Sequence, residues 1–357
     1  MPGVHPTQIN DFLVDTLDKF HNKGRFQTYF TENNYFGLDE VFTQDTMKVQ
    51  SGSQITWFHV FGDTQNFRHA NLMEPRGTRN IQDLLSETTV PWKYGDVEAY
   101  YQKNRVTMNE GAEQKVDYVK TQYYGALKSA CDGIEQRMYK APATNATTDK
   151  TPWGIPYWIR MSDSAVTTNG FNGKTIRYED GNTSTTIAGI NASNEAKARN
   201  WCGIRSTQLI DTIWTIDEGL TAAKITPPKT LEQYVTQRSK KYRCLLSNTD
   251  FNAYKKLLSA GPDDRNGDIN PFGNQVTMHG LRLVNLTWLD GVTYSPIYVM
   301  DFNKFKPVVH RDYWFQRGEP FALHDPRDVT VVPWDFQYNY IAEDLRYSGF
   351  VVHTAIA

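Results

Sequence analysis

Hydrophobic positions along this chain keep a helical rhythm in four stretches and fall into strand-like runs through most of the rest. Ile9, Phe12, Leu13, Leu17 and Phe20 predict a short amphipathic helix near the start. The next stretch, GRFQTYFTENNYFGLDEVFTQ, is aromatic and broken by Asn and Gly, so it reads as an extended arm laid on other protein or, equally, as an irregular segment covering the chain's own core. Between Met47 and Met108 the pattern turns to β. MKVQSGSQITWFHVFG and DVEAYYQKNRVTM supply two strands, and the polar HANLMEPRGTRNIQDLLSETTVPW between them reads as turn. A two-stranded excursion of this kind is marginal in water and needs a surface to lie on.

The longest helical rhythm follows. Val116, Val119, Tyr123, Leu127, Ala130, Ile134 and Met138 recur at three- and four-residue steps, with Asn109 as N-cap and acidic residues in the first turn. From Glu110 to Lys140 such a helix is about 45 Å long, although Gly125 and Gly133 are places where it could break in two. APATNATTDKTPWGIPYWI then reads as linker and turn, which places a boundary near residue 150. Residues 161–200 are rich in Gly, Asn and Thr and predict surface loops with short strands, poor in core material. Leu209, Ile213, Ile216 and Leu220 restore helical spacing. A strand at Tyr242 to Leu246, a cap, and a helix from Phe251 to Leu258 follow. FGNQVTMHGLRLVNLTWLDG reads as a strand pair, and the remainder is strand-rich, so the fold class is α+β.

Composition narrows what such a chain can do. At 357 residues it exceeds the usual single domain, and its mean hydropathy of -0.59 is polar. Yet aromatics reach 13%, and Tyr and Trp suit surfaces that bury apolar area while keeping a polar tip. A net charge of -2 lacks the basic excess of a dedicated nucleic-acid binder. Cys131, Cys202 and Cys244 are odd in number and widely spaced, which points to reduced thiols and folding in a cytoplasm. The first residues show no basic and apolar leader pattern, and no run of eighteen apolar residues occurs, so the expectation is a soluble chain without membrane contact. Asn145, Asn182, Asn191 and Asn285 begin N-x-S/T triplets, which chance explains in a chain this rich in Asn and Thr.

Signatures of chemistry are missing. The chain has no phosphate-cradling Gly-rich loop, no G-x-S-x-G elbow and no H-E-x-x-H, and its His residues form no ligand-spaced pair. GPDDRNGDINPFG, with Asp263, Asp264, Asn266 and Asp268, fails as a calcium loop because Pro262 takes the first ligand position and Gly273 the last. Acids beside aromatics, in VPWDFQYNYIAED and FGLDE, leave a carbohydrate-active hydrolase as an alternative. Arg238 to Arg243, RSKKYR, could touch phosphate but more simply ends a strand. Cys131 reads as a core thiol, and His279 and Asp290 stand too alone to be a pair. No catalytic, cofactor-binding or metal-binding residue is assigned, and no cofactor is expected.

What remains is the order of parts. An arm, a β excursion, a long helix, a Gly-aromatic junction and an α+β body resemble the major capsid protein of tailed double-stranded-DNA bacteriophages, the Hong Kong ninety-seven fold. The resemblance is strongest in CLLSNTDFNAYKKLLSAG, MHGLRLVNLTWL and IYVMDFNKFKPVVHRDYWF, and in the closing DLRYSGFVVHTAIA. It implies an N-terminal arm over 1–45, an extended loop over 46–108 and a spine helix over 109–148. It further implies an axial domain over 149–225, the rest of a peripheral domain over 226–320, and closing strands over 321–357 that return to the axial domain. By the same resemblance the chain assembles with itself into hexamers and pentamers of an icosahedral head in the virion. DNA would lie on the inner face, and scaffold, portal and decoration proteins are the further partners implied. An encapsulin-like shell, which shares the fold, is the nearer alternative.

Overall fold

The computed structural model describes residues 35–43, 46–60, 69, 85–102, 112–146, 148–164, 166–227, 241–260, 277–323 and 328–356. The expected helix at Ile9 to Phe20, the calcium-like loop and Arg238 lie outside them.

Chain order gives a short helix α1 (Phe36–Val41), then β1 (Lys48–Gln50), β2 (Gln54–Val60), β3 (Leu85–Pro91) and β4 (Lys93–Gln102). The long helix α2 (Ala112–Met138) and a single turn α3 (Ile155–Trp158) follow. Short strands come next: β5 (Gly170–Gly173), β6 (Ile176–Arg177), β7 (Thr183–Ser184), β8 (Thr186–Ile187) and β9 (Ile190–Asn191). Then come β10 (Asn200–Ile204), α4 (Leu209–Ala222), β11 (Tyr242–Leu246), α5 (Asn248–Ala260), β12 (Thr277–Met278), β13 (Leu281–Asn285) and β14 (Ile297–Asp301). The chain closes with β15 (Phe305–His310), β16 (Gln316–Arg317), β17 (Phe321–Ala322), β18 (Val329–Ala342) and β19 (Gly349–His353).

Helix α2 forms because its apolar positions share one face. Val119, Tyr123, Ala130, Ile134 and Met138 are all buried. Gly125 and Gly133 do not break it: a Cβ at either would meet nothing within 4 Å, so each costs only helix propensity, about 1 kcal/mol. At 27 residues the helix is about 40 Å long. Its first half packs on β4 and β18 through Tyr123, Ala99, Tyr101 and Val332, with Tyr123 5.3 Å from the Trp334 ring.

Two sheets build the body. In the first, β18 is the central strand. One edge takes β15, β16 and β17 in succession, and the other pairs antiparallel with β4 from Val329↔Gln102 to Tyr338↔Lys93. β1 adds in parallel to β15. Alternate residues Phe336, Tyr338 and Tyr340 fall on one face of β18 and meet Phe315, Trp314 and Phe305, with Phe305 and Tyr340 stacked at 5.4 Å. Much of the aromatic excess is therefore core.

The second sheet runs β12-β13-β11-β14-β19-β10-β5. Strands β14 and β19 are buried at every position, as strands covered on both faces must be. Trp201, Ile216, Leu220, Tyr254 and Phe350 fill the side under α4 and α5, while Cys202, Leu245, Tyr298 and Val351 join the main core on the other. The division expected between 225 and 226 runs through this sheet, because β10 lies before it and β11, β13 and β14 after it. Within 321–357, β17 and β18 belong to the first sheet and only β19 to the second.

Three other expectations are corrected. The β excursion does not pair its two expected strands: β2 pairs with β3, inside the stretch read as turn, and β4 pairs with β18. Ser86, Glu87 and Pro91 masked the β-branched Thr88, Thr89 and Val90 at its centre. Residues 161–200 do contribute core, since Ile176, Ile187, Ala192 and Ala198 are fully buried beneath a polar composition.

The arm, read as extended, contains α1. Six residues seldom hold a helix alone, and a tertiary contact supplies the reason. The Glu135 carboxylate of α2 accepts the N–H groups of Gly37 and Leu38, each at 2.8 Å, so a negative charge sits at the positive helix end. Gly37 lets the two helices approach closely, because a Cβ would come 1.7 Å from Met138 Cε and the Met138 side chain would have to move. Burial raises the pKa of Glu135, and the two N–H groups partly offset this. Glu135→Ala leaves two inward amides without an acceptor, and we expect a loss of about 2–4 kcal/mol in urea unfolding. A change under about 0.5 kcal/mol would contradict this role for Glu135.

Candidate subunit interface

The hairpin β2–β3 has two unlike faces. Ile55, His59, Thr88 and Val90 are buried, and Trp57 packs 5.7 Å from Trp158, so this face is rooted on the body. Phe58 and Val60 point the other way, 63% and 64% exposed, and Leu85 stands directly opposite Val60 at 59%. Three large apolar side chains exposed together on one hairpin face form an apolar patch of the kind that marks contact sites.

A second patch lies on α4. Its core stripe is Ile216 and Leu220, yet Ile210 and Trp214, one turn apart, face outward, with Trp214 66% exposed. Sequence reading found the core stripe and passed over this one. The signal was present in LIDTIWTIDEGL, which carries more apolar positions than one buried stripe uses.

The residues weighed for chemistry are occupied elsewhere. Glu40 pairs with Arg243 at 2.8 Å and its carbonyl accepts Lys241 Nζ at 2.8 Å, so the described part of RSKKYR anchors α1. Glu343 accepts Lys48 and Lys306 at 2.5 and 3.0 Å. Asp335 holds the Tyr94 hydroxyl, and that bond with partial burial pushes the Tyr94 pKa up to about 12. Asp290 accepts the Asn248 N–H at 2.7 Å, whereas His279 lies 3.7 Å from Asp217, so His279 and Asp290 serve different contacts. All three cysteines are free and buried, and burial pushes the Cys131 thiol up to about 12, far from a reactive thiolate. Among the described residues no group of three His, Cys, Asp or Glu is arranged to hold a metal.

One arrangement imitates a catalytic pair. Ser162 Oγ lies 3.2 Å from His353 Nε2, and His353 Nδ1 is 2.8 Å from the Thr354 carbonyl. Both residues are fully buried, so no substrate reaches them and the pair is a core contact. Burial lowers the His353 pKa, with the Thr354 bond opposing. A lowered folded-state pKa contributes stability that is present above the ordinary value of 6.5 and lost as pH falls below it. Unfolding free energy should therefore drop between about pH 7 and pH 5, with a shallower drop in His353→Gln. An unchanged slope in that variant would contradict the assignment.

No protein-family model and no curated sequence matches the chain. Solved structures do. The cyanophage A-1(L) capsid asymmetric unit aligns with a TM-score of 0.54 and 14% identity over 87% of this chain and 90% of that one. The capsid of the native GTA particle aligns at 0.50 and 10% identity over 90% and 91%. This is the Hong Kong ninety-seven capsid fold. The holo-SrpI encapsulin complex of Synechococcus elongatus aligns at 7% identity with a TM-score of 0.48, too low to weigh between kinds of shell.

Proposed function

We propose that this chain is the major capsid protein of a tailed-phage-type particle, a structural subunit that assembles with itself into the hexamers and pentamers of a closed shell. The observation that carries this reading is the apolar outer face of the hairpin, Phe58, Val60 and Leu85, held out from a body with the capsid fold. A lone hairpin with such a face is stabilised by a neighbour, and one contact set repeated by symmetry closes a shell. Ile210 and Trp214 on α4 supply a second contact between copies. The carboxylates and thiols already occupied in structural contacts favour a role without catalysis.

Domain names follow from this reading. Residues 1–45 are the arm, 46–108 the extended loop with its return strand, and 109–148 the spine helix. The seven-stranded sheet with α4 and α5 is the axial domain, so residues 241–301 move to it from the peripheral assignment expected for 226–320. The six-stranded sheet with α2 is the peripheral domain, and β19 alone carries the closing segment back to the axial one.

The packaged partner is double-stranded DNA on the inner face, with the virion as location and the host cytoplasm as the place of assembly. A near-neutral net charge of -2 suits dense packing of many copies beside such a polymer. Scaffold, portal and decoration proteins complete the set of proposed partners. Sedimentation of the chain expressed alone tests the assembly reading, which expects particles of many subunits in place of a 41.0 kDa monomer. Particles recovered from the natural source separate the two shells: nuclease-protected DNA supports a phage head, and enclosed protein cargo supports an encapsulin.

A further inference from the structure

On the face of β18 that packs against α2, four buried polar atoms have no hydrogen-bond partner among the described residues: Arg317 Nε and Nη2, Trp334 Nε1 and the Tyr123 hydroxyl oxygen. They come from three elements. Arg317 of β16 lies in register opposite Trp334 of β18, so both side chains leave the sheet on the same side. The Tyr123 ring of α2 sits 5.3 Å from the Trp334 ring. The Arg317 charge reaches both Tyr123 and Tyr101, where it opposes the upward pKa shift that burial causes.

The chemistry of these atoms names what would satisfy them. Buried donors are nearly always paired, and a guanidinium or an indole N–H can only donate. A positive charge set among donors calls for an acceptor that is itself negative. Tyr123 is 4% exposed, so its hydroxyl is held inside, whereas Arg317 and Trp334 are partly exposed and place the donors just beneath the surface. One edge of a guanidinium takes two oxygens of a single group. The indole and the phenol arrive from other elements and need further oxygens, which a tetrahedral oxyanion carries and a carboxylate does not.

We propose that Arg317, Trp334 and Tyr123 hold one inorganic tetrahedral oxyanion, phosphate or sulfate, between β16, β18 and α2. Burial of the donors selects a small free ion over a phosphate carried on a polymer. The bound ion then fastens the first half of α2 to the six-stranded sheet and neutralises Arg317. This inference does not depend on the shell reading.

Thermal unfolding of the full-length chain across a phosphate series, against chloride and acetate at equal ionic strength, tests it. Phosphate excluded from the surface raises the midpoint of any protein without saturating. A bound phosphate adds a saturable rise on top of that slope. The unsubstituted chain should show the saturable rise in phosphate and not in acetate. Tyr123→Phe keeps the ring packing and removes one donor, so half-saturation should need at least about ten-fold more phosphate. Arg317→Met should lose the saturable part altogether. Phosphorus NMR on the unsubstituted chain gives a second reading free of folding defects: the phosphate line should broaden when the chain is present and sharpen again when sulfate is added. An unsubstituted chain without a saturable rise, an equal rise in acetate, or variants that respond as the unsubstituted chain does would each overturn the proposal, as would an unbroadened line.

Discussion

Phe58→Glu together with Val60→Glu leaves a folded subunit that no longer builds shells. Both side chains are more than 60% exposed in the isolated chain, so their replacement removes little from the subunit core. In the shell each would bury apolar surface on a neighbour, and losing two such anchors removes about 3–6 kcal/mol per contact. The carboxylates add a desolvation cost on top. At 1.4 kcal/mol per decade of affinity, particle yield should fall by at least about a hundredfold, counted by electron microscopy or sedimentation. The hairpin stays rooted through Ile55, Trp57 and Val90, so circular dichroism and the unfolding midpoint should stay near those of the parent. Particles at parental yield would remove this face from the interface.

Asp250→Ala acts on the subunit itself and carries the largest expected loss of stability. The Arg205 guanidinium grips Asp250 with both terminal nitrogens, with Nη1 at 2.9 Å, and Asp250 also accepts Ser247 Oγ at 3.0 Å. Ser247 Oγ in turn accepts the Asp250 N–H at 3.2 Å, capping α5. Arg205 donates its backbone N–H to the His353 carbonyl at 2.7 Å, so the pair ties α5 to the ends of β10 and β19. Side-chain exposure is only 16% for Arg205 and 7% for Asp250. Removing the acid strands a buried cation and should cost about 3–5 kcal/mol in urea unfolding. That is a large share of the roughly 5–15 kcal/mol by which a domain is stable. Asp250→Asn keeps part of the hydrogen bonding and should lose less, and an Asp250→Ala loss under about 1 kcal/mol would contradict the role given to the pair.

Elements whose pattern is local were legible in the sequence, and those decided by distant contacts were not. Helix α2 announced itself because Val119, Tyr123, Ile134 and Met138 keep one face over many turns, and it is present within two residues of the expected ends. The strand pair at Thr277–Met278 and Leu281–Asn285 was likewise legible, with Gly280 at positive φ in the turn between them. Helix α1 was not, because its N-terminus is completed by Glu135, 98 positions away. Strand β3 was hidden by Ser86 and Glu87, which are acceptable on a strand whose own buried residues are only Thr88 and Val90. Membership of β11, β13 and β14 in the sheet of β10 depends on β19, from the end of the chain, inserting between β14 and β10. Nothing local encodes that pairing. The interface was legible as an aromatic, amphipathic character without a place: Phe58, Val60 and Trp214 become a surface only once the opposite sides of β2 and α4 are seen to be buried.

On the proposed function, many copies of this chain form a closed shell through the hairpin face. Electron cryo-microscopy of the assembled protein tests it most directly. Icosahedral particles are expected, with Phe58, Val60 and Leu85 covered by an adjacent subunit. A discrete monomer at working concentration, or a shell in which those three side chains face solvent, would contradict it.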